Sequence, residues 1–112
     1  MKTYEGNILI DSSNYEQWNE KLKDCEKITG YLSIYSQAKL DNLKSVGGNL
    51  YINSQAKLEA PELKSVGGYL YINSRISEKL IKQLYFHNSK KTWYINDQQS
   101  EWIYSKLGKL VL

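Results

Sequence analysis

The residue types that most often carry chemistry are scarce in this chain. His87 is the one histidine and Cys25 the one cysteine among 112 residues, so neither a histidine-pair metal site nor a histidine dyad can be assembled. Cys25 falls on the apolar side of a helical pattern, at a position equivalent to Leu43 and Leu63 of later segments. It reads as a buried thiol, not a nucleophile. His87 opens the polar stretch His87-Asn88-Ser89-Lys90-Lys91 and reads as a surface loop residue. Gly47-Gly48 and Gly67-Gly68 lack the Gly-x-Gly-x-x-Gly or Gly-Lys-Ser/Thr continuation of a phosphate loop, so they read as corners. The expectation is a protein that is not an enzyme, with no catalytic residue, no metal and no cofactor.

What the chain has in excess is tyrosine, ten of them, beside three tryptophans. Tyr tolerates half-exposed positions, so the excess points to an aromatic surface. The net charge of +3 comes from fifteen basic and twelve acidic residues, and Arg75 is the one arginine. Arg supplies most bidentate contacts to bases and phosphates, so a nucleic-acid partner is disfavoured. The lone cysteine rules out an internal disulfide and fits a reducing compartment. The start MKTYEGNILIDSS is too short an apolar run for a signal peptide. No stretch approaches the ~18 apolar residues of a membrane span. A cytoplasmic protein is expected.

These residues are positioned by a repeat. Gly48-Asn49-Leu50-Tyr51-Ile52-Asn53-Ser54 returns as Gly68-Tyr69-Leu70-Tyr71-Ile72-Asn73-Ser74, a shift of 20 residues, and Gly30-Tyr31-Leu32-Ser33-Ile34 precedes the first by 18. Looser copies start at Gly6, Thr92 and Gly108. Each is a short alternating segment of the half-buried strand type, and repetition at such a period is the signature of a solenoid. The inward pairs are Ile8/Ile10, Leu32/Ile34, Leu50/Ile52, Leu70/Ile72, Trp93/Ile95 and Leu110/Leu112. Ala56, Leu58, Leu63 and Val66 line the return path. Gln37-Ala38-Lys39-Leu40 repeats as Gln55-Ala56-Lys57-Leu58, which stacks Lys39 on Lys57 and Lys44 on Lys64 and assigns the two-residue difference to the connection after it. Neighbouring acidic residues neutralise these lysine rows, which read as a solvated edge.

At the N-terminus Ser13-Asn14-Tyr15-Glu16 reads as a capping box. It opens a helix over roughly Asn14 to Cys25 that caps the first coil, with Ile28 in the Val46 and Val66 position. Ser77-Glu78 starts a second helix carrying Leu80, Ile81 and Leu84, and Asn96-Asp97 or Ser100 starts a third carrying Trp102, Ile103 and Leu107 up to Gly108. The fold class expected is mainly β with short helices: a right-handed parallel β-solenoid, leucine-rich-repeat-like, of about five to six coils with an N-terminal helical cap. One domain spans residues 1–112, divided into a strand and capping helix (1–27), regular repeats (28–74) and irregular repeats (75–112). A chain ending in its sixth strand leaves an edge there, so a homodimer through Leu110 to Leu112 is an open expectation.

The phrase Leu43-Lys44-Ser45-Val46-Gly47-Gly48-Asn49-Leu50-Tyr51-Ile52, repeated from Leu63 to Ile72, resembles the receptor L-domain type of leucine-rich solenoid. It also resembles arrays of AKLxAPxLKSVGGxLYI units in bacterial and phage open reading frames. The resemblance implies a right-handed solenoid with a binding role, in a bacterial cell. It departs from the commonest leucine-rich repeat in its Val66-to-Leu70 spacing and in having a loop where that repeat has a helix.

The outward positions carry the candidate site. Leu9, Ser33, Tyr51, Tyr71, Tyr94 and Val111 fall in one column, and Asn7, Tyr31, Asn49, Tyr69, Thr92 and Lys109 in the next. With strands ~4.8 Å apart, Tyr51, Tyr71 and Tyr94 form a ladder with Tyr31, Tyr35 and Tyr69 beside it. Asp11, Asn53, Asn73 and Asn96 end the strands and read as structural. Tyr suits strands and stacks on itself, which accounts for the ladder without a ligand; equally, Tyr is enriched where proteins bind partners. The function expected is non-catalytic binding of another protein through Tyr31, Tyr35, Tyr51, Tyr69, Tyr71 and Tyr94. Two alternatives stay open: a phage-encoded inhibitor of a host defence system, of the anti-CRISPR type, acting by occlusion, and carbohydrate recognition.

Overall fold

Alternating Leu and Ile around one outward residue give each repeat phrase a single apolar side, and burying that side requires a neighbour with the same side at the same height. The structure, a computed structural model, describes residues 2–74, 76–87 and 93–95. In chain order the first elements are β1 (Thr3–Tyr4), β2 (Ile8–Ile10), α1 (Tyr15–Lys21), β3 (Lys27–Ile28), β4 (Leu32–Ile34), β5 (Gln37–Lys39) and β6 (Ser45–Val46). Then come β7 (Leu50–Ile52), β8 (Lys57–Glu59), β9 (Ser65–Val66), β10 (Leu70–Ile72), α2 (Glu78–His87) and β11 (Trp93–Ile95).

The strands sort into three parallel sheets, ordered β1-β3-β6-β9, β2-β4-β7-β10-β11 and β5-β8. They form a β-solenoid of about four turns. The register matches residue to residue: Leu32 with Leu50 and Leu70, Ile34 with Ile52 and Ile72, and Ile28 with Val46 and Val66. Ile10, Leu32, Ile34, Leu50, Ile52, Leu70 and Ile72 are all fully buried, so two apolar columns run up the centre. The sixth strand expected at Gly108–Leu112, the helix expected from Asn96 to Leu107 and the dimer contact through Leu110 to Leu112 lie outside the described residues.

The glycine corners owe their identity to contact distance. Gly47 and Gly67 have no positive φ, yet a Cβ on Gly67 would run into the carbonyl of Gly47, and one on Gly47 into the carbonyl of Thr29. Successive corners lie backbone on backbone, joined by Gly48 N–H to Gly30 O at 2.9 Å and Gly68 N–H to Gly48 O at 3.0 Å.

Three expectations are corrected. Lys39 does not stack on Lys57. Gln37 pairs with Lys57, Ala38 with Leu58 and Lys39 with Glu59, so the two additional residues fall in the corner between β7 and β8. Lys57 N–H to Ser36 O at 3.0 Å and Leu40 N–H to Glu59 O at 2.8 Å fix that register. Its physical reason is volume: Ala38 lies beside Leu58, and the same register brings Leu40 level with Ala60, all four buried. Large meets small.

The capping box does not form either. Asn14 is the N-cap of α1 but makes no side-chain cap bond, and the Ser13 N–H and hydroxyl both donate to Asp11 Oδ1. The helix stops at Lys21 because the chain must straighten to lay β3 beside β1, where the N–H groups of Glu26 and Lys27 reach Lys2 O. Leu22 and Cys25 are nonetheless buried, with Tyr15 and Trp18 packed on the core. Third, His87 ends α2 instead of standing in a loop, since no breaker interrupts the helix that Ser77 starts by accepting from Leu80 N–H at 3.1 Å.

Side-chain amides close the sheet edges. In a parallel ladder one residue engages the C=O of residue i and the N–H of residue i+2 on its neighbour. Asn14 does this from a side chain: its Nδ2 donates to Leu9 O at 3.1 Å and its Oδ1 accepts from Asp11 N–H at 2.8 Å. Asn19 in α1 repeats it on β5, donating to Gln37 O at 3.4 Å and accepting from Lys39 N–H at 3.1 Å. At the other end Gln83 of α2 donates to the carbonyls of Pro61 and Leu63.

Candidate binding face

The β2-β4-β7-β10-β11 sheet turns one face to the core and presents the other to solvent. Register places Leu9, Ser33, Tyr51, Tyr71 and Tyr94 in a single outward column. The rings of Tyr51 and Tyr71 stack at 4.8 Å with 9° between planes, and those of Tyr71 and Tyr94 at 4.9 Å with 14°. These separations equal the strand spacing, so the backbone itself sets the stack. Tyr31 meets Tyr51 edge-on at 6.1 Å, and Tyr69 meets Tyr94 at 5.4 Å and Tyr71 at 6.4 Å. Five of the six expected tyrosines therefore form one continuous aromatic cluster. Tyr35 is exposed but stands in the strand-ending column with Asp11 and Asn53, and makes no ring contact among the described residues.

Burial of the Tyr71 phenol among its neighbours raises its pKa above the ordinary 10.0, and the hydroxyls of Tyr51, Tyr94 and Tyr69 add to the rise. A phenolate there would face three others.

Asparagines lock this surface in place, a role that sequence reading missed. Asn49 Oδ1 accepts the Tyr69 N–H at 2.7 Å while its Nδ2 donates to Tyr51 Oη at 2.8 Å. Asn7 Oδ1 takes the Tyr31 N–H at 2.9 Å in the same way. Gly30 and Gly68 are required beside them, because a Cβ at either would overlap Asn7 Oδ1 or Asn49 Oδ1. The signal was present in the alternation Asn7, Tyr31, Asn49, Tyr69 within one column. Asn53 Nδ2 bonds Ile34 O at 2.9 Å and the buried Ser33 Oγ at 3.2 Å, which agrees with its structural reading.

The three faces differ in charge. Among the described residues, the outward positions of the Tyr face hold one carboxylate, Asp11, which is held below its usual pKa range by the Ser13 hydroxyl and then by the Ser13 N–H. The β5-β8 face carries Lys39, Lys57 and Glu59, and the β1-β3-β6-β9 face carries Lys2, Glu26, Lys27, Lys44 and Lys64. Glu26 and Lys44 pair there at 2.8 Å. Among the described residues no acid, His or Cys cluster could hold a metal, and Cys25 is buried with its thiol donating to Lys27 O.

No family model matches the chain, and neither a curated protein nor a solved structure does. The face is read from its own chemistry. It offers ring edges and phenol hydroxyls on a rigid support, with amides between them and almost no charge. That composition serves recognition by surface contact, because Tyr gives a large contact area with few rotors to immobilise.

Proposed function

We propose that this protein is a non-catalytic binding module that engages another protein through the Tyr-bearing face of its solenoid, which we take to be right-handed, leucine-rich-repeat-like and closed at its N-terminal end by α1. The observation that carries this reading is the ring-contact cluster of Tyr31, Tyr51, Tyr69, Tyr71 and Tyr94 on the outward side of the longest sheet. The core does not account for it, since Tyr31, Tyr69 and Tyr94 are exposed. Recognition of a sugar is served less well. Stacking on a carbohydrate needs open ring faces, and both faces of Tyr71 are covered by Tyr51 and Tyr94.

The test is affinity capture from a bacterial lysate with the wild-type chain and with the double variant Tyr51→Ala/Tyr71→Ala, after circular dichroism has established that the variant keeps its β signal. The expected outcome is a set of proteins retained by the first and absent from the second. Identical capture by both would remove the Tyr face as the binding surface.

A further inference from the structure

We propose that the occupant of the Tyr face is a proline-rich segment of a partner protein, held in polyproline II conformation along the solenoid axis. This rests on the reading that the face binds protein.

Size comes first. Five strands at ~4.8 Å spacing make the face roughly 19 Å long, and its outward columns span little more than ~10 Å across the strands. As a flat projection that is on the order of 200 Å², a narrow strip instead of the broad patch that two folded proteins share. A second copy of this chain or a globular domain would be held poorly, whereas one extended segment of about six residues covers the whole length.

Spacing comes next. Tyr31 and Tyr69 stand in one column with Asn49 between them, as the register of Leu32, Leu50 and Leu70 requires. They stand two strand spacings apart, which is about 9.6 Å. Polyproline II advances ~3.1 Å per residue with three residues per turn, so it shows the same side every ~9.3 Å. A fully extended strand, with side chains on one face every ~6.7 Å, does not fit that interval. Asn49 carries no ring, and the Tyr51 hydroxyl lies against its amide, so the column presents two exposed rings with a polar step between them, and one turn of the ligand spans it.

Hydrogen bonding fits the same ligand. Asn49 Oδ1 is committed to the Tyr69 N–H, which fixes the orientation of the amide and aims Nδ2 at Tyr51 Oη. Tyr51 therefore accepts on its oxygen and has its own proton free to donate outward. Polyproline II has no internal hydrogen bonds and exposes every carbonyl as an acceptor, while its prolines offer no N–H. A surface of phenol donors and ring edges matches a segment with acceptors and apolar rings, and the near absence of charge suits a segment without charged side chains.

The experiment is a titration of the 15N-labelled full chain, followed by backbone amide shifts, with three probes. These are a capped peptide of about nine prolines, a Gly-Ser peptide of the same length, and a cello-oligosaccharide of similar length. The expected result is saturable shifts at Tyr31, Asn49, Tyr51 and Tyr69 with the proline peptide alone, and Tyr51→Phe, which keeps the ring stack, weakens binding by roughly fivefold. Silence of those amides with the proline peptide, shifts confined to another face, or equal shifts with the Gly-Ser peptide overturn the proposal. Binding of the Gly-Ser peptide at the face leaves the protein-binding reading standing, whereas shifts with the sugar alone overturn both.

Discussion

Gly67 meets the backbone of the coil below it with nothing in between. A methyl group there would press on the Gly47 carbonyl carbon at 3.1 Å and overlap its oxygen, and a backbone in a hydrogen-bonded ladder cannot give way as a side-chain tip would. Gly67→Ala should therefore cost about 1–3 kcal/mol, read as a lowered denaturant midpoint at constant m-value; an unchanged midpoint would mean that the corners are looser than their geometry. Tyr71 makes a second residue-scale prediction. Its raised pKa means that above pH 10.0 the folded state holds a proton that the unfolded state has released. The linkage slope is then negative: stability is undiminished below the ordinary phenol pKa and falls as pH rises past it. Phenolate absorbance should show a tyrosine class that titrates late, and the denaturant midpoint should decline over the same window. Titration of all tyrosines together at the ordinary value would contradict this.

At the scale of elements, the helix α1 is useful for its amides as much as for its apolar side. Asn19 occupies the hydrogen-bonding position that another strand would take beside β5, so Asn19→Ala should uncover Gln37 O and Lys39 N–H. We expect a loss of about 1 kcal/mol and concentration-dependent self-association in sedimentation, because a bare strand edge recruits strands; a variant that stays monomeric would show that water satisfies the edge. This device was not legible in the sequence, where Asn14 looked like part of a capping box. An amide that mimics a peptide group leaves no spacing signature, whereas the Leu and Ile columns were legible because repetition and alternation state them twice. The strand β1 was readable in principle, since Lys2-Thr3-Tyr4-Glu5-Gly6 is the counterpart of Lys44-Ser45-Val46-Gly47-Gly48, but Tyr and Glu in place of Val and Gly hid it. Alignment by residue identity also misplaced β5 against β8. Identity favours Ala over Ala and Leu over Leu, while the packed core selects Ala38 beside Leu58. The Tyr ladder was legible because register follows from the buried columns, but the Asn49 clasp that braces it needed the distances.

For the whole molecule, stacked repeats make stability a sum of coils and of the interfaces between them. Length and ligand spacing are then separable. Inserting a second copy of residues 49–68 after Gly68 keeps every corner and lets the added Asn49 accept the Tyr69 N–H as before, while the added coil buries another Leu and Ile pair. The insert should raise both the denaturant midpoint and the m-value, since more surface is buried. A version with Leu58 and Ala60 exchanged in the added coil should gain more than the faithful copy, because it preserves the alternation of large and small along the return path. Yet the same insertion moves Tyr69 to three strands from Tyr31, roughly 14 Å at the strand spacing, against ~9.3 Å for one turn of polyproline II. The longer protein should therefore be more stable and bind the proline peptide less tightly than the natural chain, although it carries one tyrosine more in its ladder. Tighter binding by the longer chain would mean that affinity follows the number of rings and not the interval between Tyr31 and Tyr69.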